Sequence, residues 1–189
     1  IYMDQTYGPL HVRGLVNLMH IFEAWPASKP ICVHAEGESV ALAIGFAAIY
    51  KKHVHICHVA RKNEIELIAQ AKASGLPVTC EVTPHHLFLT DADAARLGPY
   101  GDMRPTLGTL QDQQALWQHL NATIDCVASD HAPHTREEKE QPEGSSPGVP
   151  GLESTLPLML TAAAQGRLTY TRLIELLSTN PRRIFNLPE

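Results

Sequence analysis

The chain has 189 residues, 44% hydrophobic and 19% charged, with a formal net charge of -5. That length holds one core, and basic residues scattered rather than blocked leave out nucleic-acid and membrane-surface partners. No apolar run approaches the ~18 residues of a membrane span, and no charged-then-apolar leader precedes the core, so neither a span nor a secretion signal is expected. Ile1 is not a start residue, so the chain reads as cut from something longer.

In chain order, residues 10–25 carry apolar side chains at helical spacing, and 31–33 form a short β-rich run. An Ala-rich helix follows over 39–50 and a second short run over 54–57. Residues 62–74 repeat apolar positions at i, i+3 and i+4 and stop at Gly75. Two more runs, 77–82 and 124–128, flank a helix at 110–120, and helices over 152–164 and 170–178 close the chain. Short apolar runs separated by helices imply crossover connections and a parallel sheet. Residues 97–108 are too rich in turn formers to be helical, and 132–151 is a long polar, Pro/Gly-rich loop of the kind that is functional or mobile.

Each strand run ends in a polar residue. His34, His58 and Glu81 recur roughly every two dozen residues, and Asp130 follows after about two such steps. A βα unit of that size, with a functional group at each strand's C-terminal end, predicts an α/β fold of the (β/α)8 barrel type. A whole barrel takes ~250 residues, so four strands amount to about half of one. The four cysteines sit inside apolar runs and read as reduced packing residues, which fits a cytoplasmic location. Histidine stands out, with 11 copies.

His34, His58 and Asp130 offer imidazole and carboxylate donors suited to zinc or a similar divalent ion. Any one strand-end histidine is more often a structural hydrogen-bonder; three such groups in register on successive units favour a metal centre. Three ligands suffice for a mononuclear zinc, and the spacing leaves one-metal and two-metal centres both open. Such ions lower the pKa of bound water towards ~7, and Asp130 can accept a proton and return it to a leaving amide nitrogen. Cys57 adds a soft ligand nearby, and Glu81 requires a cation or a donor if it is buried.

The segments VHAE (33–36), HICHVA (55–60), CEVTPHHLFL (80–89), MRPTLG (103–108), SDHAPHT (129–135), GVPGLESTLPLML (148–160) and NPRRIFNL (180–187) together resemble the dihydroorotases. The resemblance spans essentially the whole chain and includes the dihydroorotase domain of the multifunctional pyrimidine-pathway protein and its bacterial relatives. It implies a cyclic amidohydrolase barrel that interconverts N-carbamoyl-L-aspartate and dihydroorotate in de novo pyrimidine (UMP) biosynthesis, using two zinc ions. By resemblance, His34 and His58 bind one metal, and Asp130 binds the other and acts as general base and acid. Cys57 and Glu81 match positions that hold an additional, third metal in some members. His134 and Arg104 match contacts to the substrate, and the Pro150–Gly151 backbone closes the pocket. Thr6 and Tyr7 resemble a mobile lid over residues 1–9, with Gly8 and Pro9 as hinge chemistry.

Read through this resemblance, residues 1–189 are the C-terminal portion of one metal-dependent amidohydrolase barrel. The family's first-strand histidines, its substrate asparagine, its bridging lysine and its small β-sandwich are absent from the sequence. The resemblance further implies a homodimer and an association with aspartate transcarbamoylase, with no nucleic-acid or membrane partner. Two other readings stand beside it: an allantoinase or hydantoinase, and a non-catalytic dihydroorotase-like scaffold of aspartate transcarbamoylase. A histidine placed like His134 favours a carboxylate-bearing substrate over the first. The retention of His34, His58 and Asp130 argues against the second.

Overall fold

The computed structural model describes residues 1–3, 11–141 and 143–188. Strands β1 (Ile31–Val33), β2 (Val54–Ile56), β3 (Val78–Val82) and β4 (Cys126–Val127) form one four-stranded sheet in sequence order. Every neighbouring pair is parallel, with Cys32 opposite His55, His55 opposite Thr79, and Glu81 opposite Cys126. The expected crossovers supply the helices. Helix α1 (Leu15–Ala24) precedes β1, α2 (Glu38–Tyr50) joins β1 to β2, and α3 (Lys62–Ala73) joins β2 to β3. Helices α4 (Pro84–Phe88), α5 (Asp91–Leu97) and α6 (Leu110–His119) lie between β3 and β4. After β4 come the single turn α7 (Arg136–Lys139), then α8 (Leu152–Ala164), α9 (Tyr170–Ile174) and α10 (Asn180–Phe185). The parallel α/β sheet is that of a partial (β/α) barrel.

The strands sort their side chains by chemistry. Ile31, Val33, Val54, Ile56, Val78, Cys80, Val82 and Val127 join the apolar core against the helices. The alternate positions, Cys32, His55, Thr79, Glu81 and Cys126, turn to the other face, where their polar atoms meet. Period-two alternation fixes this division, and each fully buried aliphatic side chain contributes about 1.5–3 kcal/mol. Ile56 is 0% exposed in the middle of this layer. Ile56→Ala is therefore expected to cost about 2–5 kcal/mol of stability, whereas Leu152→Ala, at 66% exposed, should cost under about 0.5 kcal/mol. Denaturant midpoints measure both, and equal losses would contradict the packing described.

Several bounds differ from the sequence expectation for identifiable reasons. The first helix starts at Leu15 rather than residue 10 because His11 bridges Tyr2, Val12 N donates to Tyr2 O, and Gly14 takes φ 85°. Strand β4 is shorter than 124–128. Asp125 instead accepts from Cys80 N at 2.7 Å and pairs with Lys72, while Arg172 donates to the carbonyls of Leu120 and Ile124. The final long helix breaks into α9 and a π-helical turn at Glu175–Thr179. Within 97–108, expected to lack helix, Gly98–Gly101 forms a 3-10 turn. Helices α4, α5, α7 and α10 were not expected. Their cues are local: Thr83 caps α4 through His86 N with Pro84 in the first turn, and Thr135 caps α7 through Glu138 N.

Among the described residues no helix is long and apolar enough to cross a membrane. Residues 1–3, the start of the expected lid, are held along β1: Met3 N donates to His34 O and His34 N to Ile1 O, both at 2.8 Å. Thr6 and Tyr7 lie outside the described residues.

Candidate functional site

The C-terminal ends of the strands open on a polar cleft of about 240 Å³ lined by Ile1, Tyr2, Cys32, His34, Cys57, His58, Glu81 and Asp130. All five metal-ligand candidates from the sequence therefore share one cavity. The rings of His34 and His58 stand edge to face with centroids 4.4 Å apart. Among the described residues no lysine or arginine lines the cleft, and two carboxylates do. Such a lining attracts a cation.

Backbone geometry marks the same residues. Four non-glycine residues among those described have positive φ: Lys51, His58, Asp130 and Asn186. Lys51 and Asn186 are left-handed helix C-caps, which is routine. His58 at φ 36° and Asp130 at φ 44° follow strands β2 and β4, where nothing about helix termination calls for it. Strain of this kind costs about 1–3 kcal/mol and concentrates at functional sites.

The loops carrying the histidines are locked together by one carboxylate. Glu64, 3% exposed in the first turn of α3, accepts from Ala60 N and Arg61 N. Its other oxygen accepts from Gly37 N at 2.8 Å. It thus caps α3 and ties the loop after His58 to the loop after His34.

Burial sets the protonation of these groups. His58 has its pKa lowered by desolvation, which keeps the imidazole neutral and its lone pair available. Its Nδ1 is buried with no hydrogen-bond partner among the described residues. A buried nitrogen of this kind fits a metal ligand better than a packing histidine. The Asp130 side chain is exposed overall, yet partial desolvation of its carboxyl, with the charge of Glu81 second, raises its pKa. The Cys57 thiol hydrogen-bonds to Cys32, which raises the pKa of Cys57 and lowers that of Cys32 to about 6. The donor set therefore fits one or more divalent ions.

The expected substrate contacts lie elsewhere on the same face. Pro150 and Gly151 line a second cavity of about 240 Å³, apolar, together with His85, Met103 and Leu158. Gly151 is required there, since a Cβ would lie 2.5 Å from the Ser129 carbonyl. His134 contacts Glu138 Oε2 at 3.3 Å and the Pro147 carbonyl at 3.1 Å. Arg104 donates to Asp102 and to the Met103 carbonyl. The loops bearing Arg104 and His134 are stitched into one unit. Lys139, 4% exposed, donates to the carbonyls of Asp102 and Ser146, and Ser145 donates to the Asp102 carboxylate.

Four residues escaped the sequence reading. Tyr2 and Cys32 line the cleft, and Tyr2 leans on His34 with ring centroids 5.5 Å apart. His55 is fully buried and bonds Glu81. His85 faces the apolar cavity with its pKa lowered to about 4 by burial, then by His58. The signal for His55 was available: a polar residue two positions before Cys57 shares its face of the strand.

No family model matches the chain. Over all 189 residues it is 49% identical to the multifunctional protein CAD of Squalus acanthias, of which it spans 8%. It is 43% identical over 191 aligned residues to the dihydroorotase of Chlorobaculum tepidum, covering 96% of the chain and 44% of that enzyme. The chain thus spans less than half the length of these curated relatives. The L-hydantoinase of Arthrobacter aurescens superposes with a TM-score of 0.91 at 28% identity, covering 98% of the chain and 50% of the hydantoinase. The inactive dihydroorotase-like domain of the Chaetomium thermophilum CAD-like multifunctional protein superposes with a TM-score of 0.78 at 32% identity, covering 94% and 50%. Along its whole length the chain is thus homologous to part of the multifunctional protein CAD and of bacterial dihydroorotases, and it shares the fold of the hydantoinase-type amidohydrolases.

Proposed function

We propose that the protein carrying this chain is a dihydroorotase, catalysing the zinc-dependent, reversible cyclisation of N-carbamoyl-L-aspartate to dihydroorotate in pyrimidine biosynthesis. The observation that carries the reading is the convergence of His34, His58 and Asp130 in one cation-attracting cleft at the strand ends, within a chain homologous to dihydroorotases. In this reading two zinc ions sit in the cleft, one held by His34 and His58 and one by Asp130. When bound, such ions polarise a carbonyl and acidify water. Asp130 takes up a proton during ring opening and delivers it to the leaving amide nitrogen, and in the reverse direction takes it back. Its raised pKa suits it to both halves of that exchange. Tyr2 and the Glu64 clamp keep the two imidazoles aimed into the cleft.

His134 and Arg104 serve the substrate's carboxylates, with the Pro150–Gly151 backbone forming the pocket wall. The two ring nitrogens of His134 lie against Glu138 Oε2 and the Pro147 carbonyl, which fix the ring on its loop. His134→Ala in the whole protein is expected to raise KM by roughly 10–150-fold, the value of one charge-assisted hydrogen bond, with bound metal unchanged. Loss of stoichiometric metal in this variant would reassign His134 as a ligand.

A scaffold without activity is the second reading, favoured by the likeness to an inactive dihydroorotase-like domain. A domain relieved of catalysis has no physical need for strained residues at His58 and Asp130. Turnover of dihydroorotate by the purified, metal-loaded protein supports the enzyme. A folded protein without metal or turnover supports the scaffold. We assign the reaction to the cytoplasm, a homodimeric assembly and, given a multifunctional relative, a link to aspartate transcarbamoylase.

A further inference from the structure

A buried cation holds the loop that carries Arg104. Lys139 is the only buried residue of the α7 turn. Burying an ammonium is costly unless it is well hydrogen-bonded, and a single helical turn does not require one. Its Nζ donates at 2.8 Å to the carbonyls of both Asp102 and Ser146. Gly148 N donates to the same Asp102 carbonyl at 3.0 Å. The Asp102 carboxylate is engaged too, one oxygen by Ser145 Oγ and the other by Arg104 Nη1. Every oxygen of Asp102 is therefore held, and Lys139 anchors the set from inside.

The chain of contacts ends on a guanidinium with one edge free. Arg104 Nη1 donates to Asp102 and to the Met103 carbonyl, its neighbours in the loop. Among the described residues its Nε and Nη2 donate to nothing. Those two nitrogens form an edge that can grip a carboxylate in two parallel bonds. Charge points the same way. Lys139 and Arg104 are both cationic and Asp102 alone is anionic, so the knot keeps a positive charge that attracts an anion. With Lys139 gone, Arg104 and Asp102 would cancel.

We propose that Lys139 is a positioning residue for the substrate's carboxylate: it fixes Asp102, Asp102 fixes Arg104, and the open edge of the guanidinium is thereby held ready. The proposal rests on the dihydroorotase reading, in which Arg104 meets that carboxylate. Lys139 acts through Asp102 and Arg104 rather than on the reacting atoms. A donor already held in its binding geometry loses less freedom when the anion arrives. The benefit therefore appears as affinity rather than as rate. An apolar side chain could fill the same space, but it would leave the Asp102 and Ser146 carbonyls without their ammonium donor.

Kinetics, dihydroorotate affinity by calorimetry and metal content are measured on the metal-loaded whole protein, on Lys139→Met, on Arg104→Gln and on the double variant. Lys139→Met is expected to raise KM and Kd roughly 10-fold, the lower end of what a charge-assisted hydrogen bond is worth, with kcat and bound metal unchanged. Arg104→Gln should reach up to roughly 150-fold, the upper end. The double variant should be no weaker than Arg104→Gln alone, because Lys139 then has nothing left to position. A lysine that merely stabilises the fold gives additive losses instead, and these overturn the proposal. Unchanged affinity in folded Lys139→Met overturns it too, and leaves the dihydroorotase reading standing. Should Lys139→Met fail to fold, Lys139→Gln, which keeps a donor and loses the charge, takes its place in the cycle. Loss of fold in both marks the lysine as structural and ends the proposal. A wild type that binds dihydroorotate without turning it over refutes the enzymatic reading alone, and the cycle is then judged on Kd. A wild type that binds no dihydroorotate removes both.

Discussion

Asp130→Asn is expected to reduce turnover by roughly 10²–10⁴-fold, the usual worth of a positioned general acid–base, in a protein that folds normally. The substitution is unusually clean at this position. Asp130 sits at φ 44°, a region that Asn occupies as readily as Asp, so the backbone loses nothing. The side chain keeps its size and loses the charge and the basicity. Its place in a cleft that also contains Glu81 makes the carboxylate costly to keep charged, and that cost is lifted in the amide. The folded variant is thus expected to be at least as stable as the parent while losing activity; circular dichroism and steady-state kinetics on one preparation separate the two. Wild-type turnover in a folded Asp130→Asn protein would remove Asp130 from the chemistry.

His58→Asn is expected to weaken metal binding by more than about 100-fold. Loss of a partner that merely supports a ligand already costs about 10–100-fold, and His58 is assigned as the ligand itself. Asn again tolerates the left-handed backbone, here at φ 36°, and so isolates the loss of the imidazole. The buried, unpartnered Nδ1 disappears with the ring, so the metal-free variant should be no less stable than the metal-free parent. Metal content after dialysis against a competing chelator measures the effect. Undiminished metal would mean that His58 is a packing residue held in a strained conformation for some other purpose.

The strands, their parallel order and the ligand candidates at their ends were legible because each depends on local sequence. Buried aliphatic runs mark β1 to β3, and a polar residue ending each run marks the open end of the sheet. What escaped depends on contacts across the fold. The shortness of β4 follows from Lys72, Arg172 and Asn180 claiming backbone and side-chain groups around Asp125, none of which is near it in sequence. The start of α1 follows from residues 11–12 pairing with Tyr2. His55 was hidden by its flanking valine and isoleucine, which make 54–57 look uniformly buried. It is buried, but on the face where Thr79 and Glu81 wait for it. The substrate-side residues were read from the family pattern alone. No periodicity marks Arg104 or His134, whose loops take their shape from the buried Lys139.

The two-faced strands have a consequence for how the chain avoids misfolding. Shifting one strand by a single residue would exchange its faces. In β2 that would push His55 into the aliphatic layer under the helices and turn Val54 and Ile56 towards Glu81. In β3 it would bury a carboxylate among Val and Ile side chains without a partner. Either slip loses apolar burial and strands a polar group at once, and each error costs several kcal/mol. Replacing the inward histidine, threonine and glutamate with aliphatic residues would abolish that discrimination, because both faces would then suit either environment. Residues retained for chemistry thus also proofread strand pairing, and a variant stripped of them would fold to a mixture of registers rather than to one sheet.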